Sequence, residues 1–270
     1  MKAAHASRWR PSPFVLGSAV CHVGAALAVA VEPQVWPWSL GVLAIDHAVL
    51  TAAGLWPRSR LLGTNWTRLP TTMGRPAGIA ITIDDGPDPE VTPRVLRLLA
   101  SRGARATFFC IGERLRRHPD LARAIHGDGH AIENHSYRHA HDFSLRGPRA
   151  LAVEIARAQD CVAELTGRAP RFFRAPAGLR NPFLDPVLAR FGLTLASWTR
   201  RGFDTVDGDA QAVMGRLGRG IAAGDILLLH DGHAARTRTG GAVILEVLPR
   251  LLDLLAERAL EPVTLRAALA

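Results

Sequence analysis

Ile79-Ala80-Ile81-Thr82-Ile83 is a short, mostly β-branched run that ends on Asp84-Asp85-Gly86-Pro87. Such a run reads as a strand buried on both faces, and the Gly-Pro pair forces the chain to turn behind it. A buried strand with two carboxylates at its exit belongs to an α/β protein, which keeps its chemistry at that edge. Asp88 and Glu90 suit an acidic turn that caps the following helix. Asp84 and Asp85, taken alone, fit that role as well as a chemical one.

A second cluster separates the two readings. Glu133-Asn134-His135-Ser136-Tyr137-Arg138-His139 follows the short apolar strand Ala131-Ile132. Histidines four residues apart face the same way if the segment coils. With an upstream Asp they supply three N/O ligands, the pattern of a catalytic zinc site with one coordination position open to water. His141 follows as a competing ligand, off that spacing. Arg174-Ala175-Pro176-Ala177-Gly178 ends a further apolar strand with a guanidinium and a Pro-x-Gly turn, and Leu227-Leu228-Leu229-His230 ends another with an imidazole. Between them lies Trp198-Thr199-Arg200-Arg201-Gly202-Phe203-Asp204. Singly, Arg174 reads as an ion pair, His230 as a turn residue and Trp198 as core. Polar groups at the ends of five successive apolar strands instead mark the carboxyl-terminal face of a parallel α/β sheet. Strands expected at 79–83, 106–111, 130–134, 171–175, 193–198, 225–230 and 262–265 alternate with amphipathic segments, among them 91–101, 148–165 and 243–258. Seven units predict an incomplete (β/α)7 barrel.

These segments together resemble the polysaccharide deacetylase family, the metal-dependent N-deacetylases of chitin, chitooligosaccharides and peptidoglycan. Thr82 to Gly86 is similar to the motif TFDDG with Ile83 in place of Phe, His135 to His139 to H-S/T-x-x-H, Arg174 to Gly178 to R-x-P-x-G, and Leu228 to His230 to L-x-H. Ala106-Thr107-Phe108-Phe109 resembles the family's second strand. The fourth motif departs: where the family places an Asp-Trp pair, this chain has Arg200-Arg201-Gly202-Phe203-Asp204. Phe203 is expected in place of the Trp, and Asp204 is expected to supply the carboxylate that orients His230.

The residue types then carry a mechanism. Asp85, His135 and His139 are expected to hold a divalent metal, zinc ahead of cobalt, manganese or nickel. Asp84 is the expected general base, held ionised by Arg174, and His230 the general acid that protonates the leaving amine. The resemblance implies an oxyanion donor in the backbone N–H of Ala177 and a pocket lined by Phe203 and Leu228.

Residues 1–56 are a different material. Phe14 to Val31 is an apolar run broken by His22, and Val35 to Trp56 is a second one with Asp46 and His47 near its middle and Trp36, Trp38 and Trp56 toward its ends. About 17–25 residues span a bilayer, and tryptophans suit its interface. Asp46 and His47 are costly in lipid, so the second segment either pairs them against the first or lies less deeply. The tight Glu32-Pro33-Gln34 connection favours a transmembrane hairpin, with a linker over 57–77 and the deacetylase barrel over 78–270. A cleaved signal peptide ending at Ala28-Val29-Ala30 is the competing reading, and it leaves the second run unexplained. Lys2, Arg8 and Arg10 precede the pair and Arg58, Arg60 and Arg68 follow it, while the turn carries only Glu32. The positive-inside rule places both ends, and the barrel, in the cytoplasm.

The net charge of +9 suits an anionic membrane surface or a phosphorylated substrate, although an Arg-rich composition with Lys2 as the sole lysine explains it equally well. Cys21, Cys110 and Cys161 form no disulfide framework and no CxxC site. The expected activity is removal of an acetyl or formyl group from an N-acylated amino sugar, lipid-linked through polyprenyl phosphate at the cytoplasmic membrane face, with arginines such as Arg200 and Arg201 meeting the phosphate. The alternatives are an exported peptidoglycan or exopolysaccharide N-deacetylase, and an inactive relative that binds glycan or lipid. A nucleic-acid partner accounts for the charge and for none of the motifs.

Overall fold

The computed structural model describes residues 9–70 and 78–269; Lys2, Arg8 and the last residues assigned to the linker, 71–77, lie outside the described residues. The two apolar runs form helices α1 (Pro13–Val31) and α2 (Trp36–Leu55), joined by a 3-10 turn at Pro33–Val35. Ser12 caps α1 by accepting from Val15 N at 3.2 Å. Both helices are long and apolar enough to cross a membrane, and Leu16, Val20, Val23, Leu27 and Ile45 are exposed. Asp46 turns toward α1, where Ser18 Oγ donates to its carboxylate at 2.7 Å. His47 meets His22, ring nitrogen to ring nitrogen, at 3.0 Å.

Among the described residues eight strands build the barrel: β1 (Gly78–Asp84), β2 (Thr107–Cys110), β3 (Ala131–Asn134), β4 (Phe172–Phe173), β5 (Thr194–Leu195), β6 (Arg200–Arg201), β7 (Ile226–His230) and β8 (Glu261–Pro262). Seven follow the order β5-β4-β3-β2-β1-β7-β6, every pair parallel, and β8 adds to the start of β1. The expected strand over 193–198 is shorter, β5 alone, and β6 follows it at the opposite end of the order although only residues 196–199 separate the two. The seam between them is filled by residues expected to be a linker. Trp66 N donates to Leu195 O at 2.9 Å and Ser197 N to Trp66 O at 2.8 Å, while Thr199 Oγ1 donates to Thr67 O at 2.6 Å.

The helices α3 (Thr92–Ala100), α6 (Pro148–Thr166) and α9 (Ile244–Glu257) match the expected amphipathic segments. Four further short helices, α4 (Gly112–Arg117), α5 (Pro119–Gly127), α7 (Leu184–Arg190) and α8 (Ala210–Gly218), lie between the strands without having been given bounds in the sequence. Asp88 Oδ1 accepts from Glu90 N and Val91 N, both at 2.9 Å, ahead of α3.

Strand alternation decides what reaches the site. Ile79, Ile81 and Ile83 of β1 and Leu227 and Leu229 of β7 pack outward against the helices. Ala80, Ile226 and Leu228 point inward with Phe109, Phe172, Trp198 and Leu265, filling the lower barrel. The same inward row ends on Asp84 and His230, which are register partners across the β1–β7 pair.

Candidate active site

Asp84 is the last residue of β1, and Asp85 follows with φ 72°, so that the two neighbouring carboxylates diverge. Asp84 Oδ1 accepts from Arg174 Nη1 at 2.7 Å. Arg174 is 1% exposed and fully engaged: it also donates to Thr82 Oγ1 (2.7 Å), Ala196 O (3.0 Å) and Ser197 O (2.7 Å), and it stacks on Phe109. Burial draws its pKa below the ordinary guanidinium value, against the opposing pull of Asp84. The contact between the two has the short geometry of a charge-assisted hydrogen bond.

Asp85, His135 and His139 bring three ligand atoms within 4.8 Å of one another. His135 Nδ1 donates to Arg174 O at 2.8 Å, so in the neutral ring the lone pair sits on Nε2, which faces Asp85 Oδ1 at 3.3 Å. His139 Nε2 faces the same oxygen at 3.2 Å. Burial, reinforced by the charge of His135, lowers the His139 pKa to about 4, which keeps that ring neutral at pH 7. Asp85 Oδ1 is buried and accepts no hydrogen bond. Burial tends to raise the Asp85 pKa, but the surrounding histidines outweigh it and hold it far below the usual carboxylate range. An imidazole lone pair directed at an unpartnered carboxylate oxygen is repulsive unless a cation lies between them, so this donor set fits a divalent metal. The segment that carries the two histidines does not coil into a helix: it is a loop with positive φ at Ser136 and His139, and Asn134 and Ser136 side chains tie it down.

His230 lies on the opposite wall. Its Nδ1 meets Asp204 Oδ1 at 2.8 Å, and its backbone N donates to Asp204 Oδ2 at 2.7 Å. Burial lowers the His230 pKa, and the bond to fully buried Asp204 more than reverses this, leaving it above the ordinary imidazole value. Asp204 thus stands where the expected orienting carboxylate was sought.

The pocket between these groups is lined by Asp84, Asp85, His135, His139, Ala177 and His230, with Trp198, Arg201, Leu228 and His233 around them. Ala177 has φ 54° in the turn expected from Pro-x-Gly. His141 lies on the lining outside the three-ligand set. Two expectations are corrected. Phe203 does not line the pocket; it is 47% exposed and stacks on Arg201 at 4.9 Å, while Trp198 is buried in the core as read and lines the pocket as well. Arg200 faces away from the pocket, its Nε on Asp225 Oδ2 at 2.5 Å.

Three participants escaped the sequence reading. His233 Nε2 accepts from Arg114 at 2.8 Å, so its Nδ1 donates to Asp85 Oδ2 at 3.1 Å and fixes the carboxylate's rotation. Thr82 bridges Arg174 and Leu227 O. Buried Asp231 accepts from Thr92 Oγ1 at 2.5 Å and occupies the space a side chain at Gly86 would need. Burial, with Asp85 nearby, pushes its pKa up to about 7. A second His just past a catalytic strand end was the available signal for His233; for Thr82 and Asp231 only the contacts reveal the role.

A parallel barrel carrying an Asp/His/His set, an Arg-paired Asp and an Asp-paired His defines a metal-dependent hydrolase of the carbohydrate-deacetylating class. The chain belongs to the polysaccharide deacetylase family, whose model matches residues 73–196, and it is a carbohydrate N-deacetylase. It is 36% identical over 157 residues, 58% of this chain and 74% of the relative, to a chitooligosaccharide deacetylase of Azorhizobium caulinodans. It is 35% identical over 175 residues, 64% of this chain and 81% of the relative, to a peptidoglycan-N-acetylglucosamine deacetylase of Bacillus cereus. The solved family 4 carbohydrate esterase of Streptomyces lividans, in complex with acetate, aligns with TM-score 0.62 and 32% identity, covering 68% of this chain and 91% of that one.

Proposed function

We propose that this enzyme removes an acetyl or formyl group from an N-acylated amino sugar carried on a membrane lipid through polyprenyl phosphate, and that it does so at the cytoplasmic face. In this reading residues 1–56 are a membrane hairpin. The observation that carries it is the attachment of the hairpin's base beside the pocket. Pro57 O accepts from Ser197 Oγ at 2.6 Å, and Pro57 also packs where a Cβ on Gly178 would lie. Trp9, preceding α1, donates to Asp185 Oδ2 at 2.7 Å, which ties the other end of the hairpin to the barrel. A substrate held at the headgroups is then within reach, whereas polymers outside the cytoplasm are not.

Asp85, His135 and His139 would hold the metal, zinc by its preference for this donor set. When bound, such an ion acts as a Lewis acid and lowers the pKa of a coordinated water to about 7. Asp84, kept ionised by Arg174, takes the proton of the attacking water. The Ala177 N–H donates to the developing oxyanion. His230, charged through Asp204, passes its proton to the leaving nitrogen, because an amide expels a neutral amine far more readily than an amide anion. Trp198 and Leu228 supply the apolar wall that keeps bulk water from this exchange.

The names of the relatives favour a second reading, with the same chemistry on an exported peptidoglycan or chitooligosaccharide. Reporter fusions to the carboxyl terminus separate the two. Cytoplasmic reporter activity, with N-acylated lipid-linked sugars accumulating in cells that lack the protein, is the expected result. A reporter active only outside the cytoplasm overturns the lipid-linked reading in favour of the exported one.

A further inference from the structure

Arg200 and Arg201 are consecutive residues of β6, and the pleat sends their side chains to opposite faces. Arg200 is consumed by structure: besides Asp225, its guanidinium donates to the carbonyls of Arg219 and Gly220. Arg201 pairs in register with Leu228, a pocket residue, and lines the same pocket.

The guanidinium of Arg174, buried and off the pocket lining, and that of Arg201, on the lining, are in opposite conditions. Arg174 is saturated by Asp84, Thr82 and two carbonyls. The Arg201 side chain has no ion pair and no hydrogen bond among the described residues, and its Nε is buried without an acceptor. Aromatic rings hold it: its guanidinium carbon lies 5.6 Å from the centre of Trp198 and 4.9 Å from that of Phe203. Phe203 keeps its place at the rim with φ 62°, outside the ordinary range of a bulky residue. Stacking fixes a guanidinium while leaving the donors along its edge free, the arrangement suited to forked recognition of an oxyanion.

No carboxylate of the site pairs with it among the described residues. Asp84 is taken by Arg174, Asp204 by His230 and Asp231 by Thr92, and Asp85 is directed at the two histidines and His233.

We infer that Arg201 is a specificity residue that binds an oxyanion carried by the substrate close to its acylated nitrogen. This rests on the amide-hydrolase reading above and adds that the pocket prefers a charged amino sugar to a neutral one. The oxyanion can be a sugar phosphate, as on a lipid carrier, or a ring-linked carboxylate, as on a muramic acid. Arg201 acts on substrate choice, and the proton transfers stay with Asp84 and His230.

The test uses the full-length, metal-loaded protein in detergent with three N-acetylated probes: the methyl glycoside of N-acetylglucosamine, N-acetylglucosamine 1-phosphate and N-acetylmuramic acid. The expected wild-type kcat/KM is about tenfold or more higher for a charged probe than for the methyl glycoside, the margin of one charge-assisted hydrogen-bond pair. Preference for the phosphate points to the lipid-linked source, and preference for the carboxylate to a wall-derived one. Arg201→Gln should bring the ratio of charged to neutral turnover close to one, mainly through KM, and Arg201→Lys should retain part of it. Arg149→Gln, on the exposed face of α6, removes the same unit of charge and should leave the ratio unchanged. Equal turnover of all three probes by the wild type, or an equal loss on all three in Arg201→Gln, overturns the inference while leaving the deacylase reading intact. Calorimetric titration with the two charged probes serves if none is turned over, a result that counts against the deacylase reading. Equal binding by the wild type and Arg201→Gln then defeats the role of Arg201, and weaker binding by the variant sustains it.

Discussion

Gly54, in the last turn of α2, and Arg180, just past the turn that holds Ala177 and Gly178, are fastened backbone to backbone. Arg180 N donates to Gly54 O at 3.1 Å, and the Arg180 carbonyl occupies the space where a Cβ on residue 54 would stand. The Arg180 guanidinium continues the attachment to Ser59 O. The apolar hairpin and the turn proposed to carry the oxyanion donor therefore move together. Gly54→Val should push that turn aside and lower kcat by about 10- to 100-fold, the usual penalty for a misplacement on the order of 1 Å. Bound metal, measured on the same preparation, should be unchanged, because the ligands stand just past β1 and on the loop after β3.

Paired carboxylates with different partners should fail in different ways. Asp85→Ala, His135→Ala and His139→Ala are expected to lose the metal. Asp84→Asn is expected to keep it and to lose turnover by about 10²- to 10⁴-fold, the range for removal of a general base. Metal content of the purified variants decides the assignment: a metal-free Asp84→Asn beside a metal-loaded Asp85→Ala would reverse the two roles.

The bond from Asp204 raises the pKa of His230, so the acid form persists to higher pH than in an isolated imidazole. Asp204→Asn removes that bias and leaves burial, which acts in the opposite sense. The alkaline limb of kcat/KM against pH should therefore move to lower pH in the variant. Stability follows the same sign. A folded-state pKa above the unfolded one contributes fully below the unfolded value and fades as pH rises through the folded value. The Tm difference between wild type and Asp204→Asn should accordingly be largest in acid and narrow toward alkaline pH.

Arg174 and Asp84 are both buried, so removing one leaves the other uncompensated. Arg174→Met should cost about 3–5 kcal/mol of stability. The double variant Arg174→Met/Asp84→Asn should recover much of that loss, because no isolated charge remains, and should stay inactive. Denaturant unfolding of the three proteins measures the coupling. Simple additivity would show that the pair is not the unit described.

Much of the site was legible because each of its residues ends an apolar run. Asp84, Asp85 and His230 follow strands of β-branched or leucine-rich composition, Arg174 follows the pair Phe172-Phe173, and His135 and His139 announce themselves by their spacing. Phe203 was misplaced because the strand expected over 193–198 ends at Leu195. The chain instead crosses the barrel seam there, which brings Trp198 to the wall and leaves Phe203 outside it. Residues 66–68, expected as linker, close that seam through backbone hydrogen bonds that leave no periodic trace.

The sequence alone determined the alternation of strands and helices, the parallel barrel and the chemical types at its mouth, because buried parallel strands require continuous apolar runs and the polar residues that end them stand out. Tertiary structure decided which of those polar groups became partners. Asp84 and His230 lie 146 residues apart and meet only through the β1–β7 register. Arg200 and Arg201 are adjacent and identical in type, yet the pleat gives one to Asp225 and the other to the pocket. Composition is written along the chain, whereas pairing depends on the direction each side chain takes from a strand packed among its neighbours.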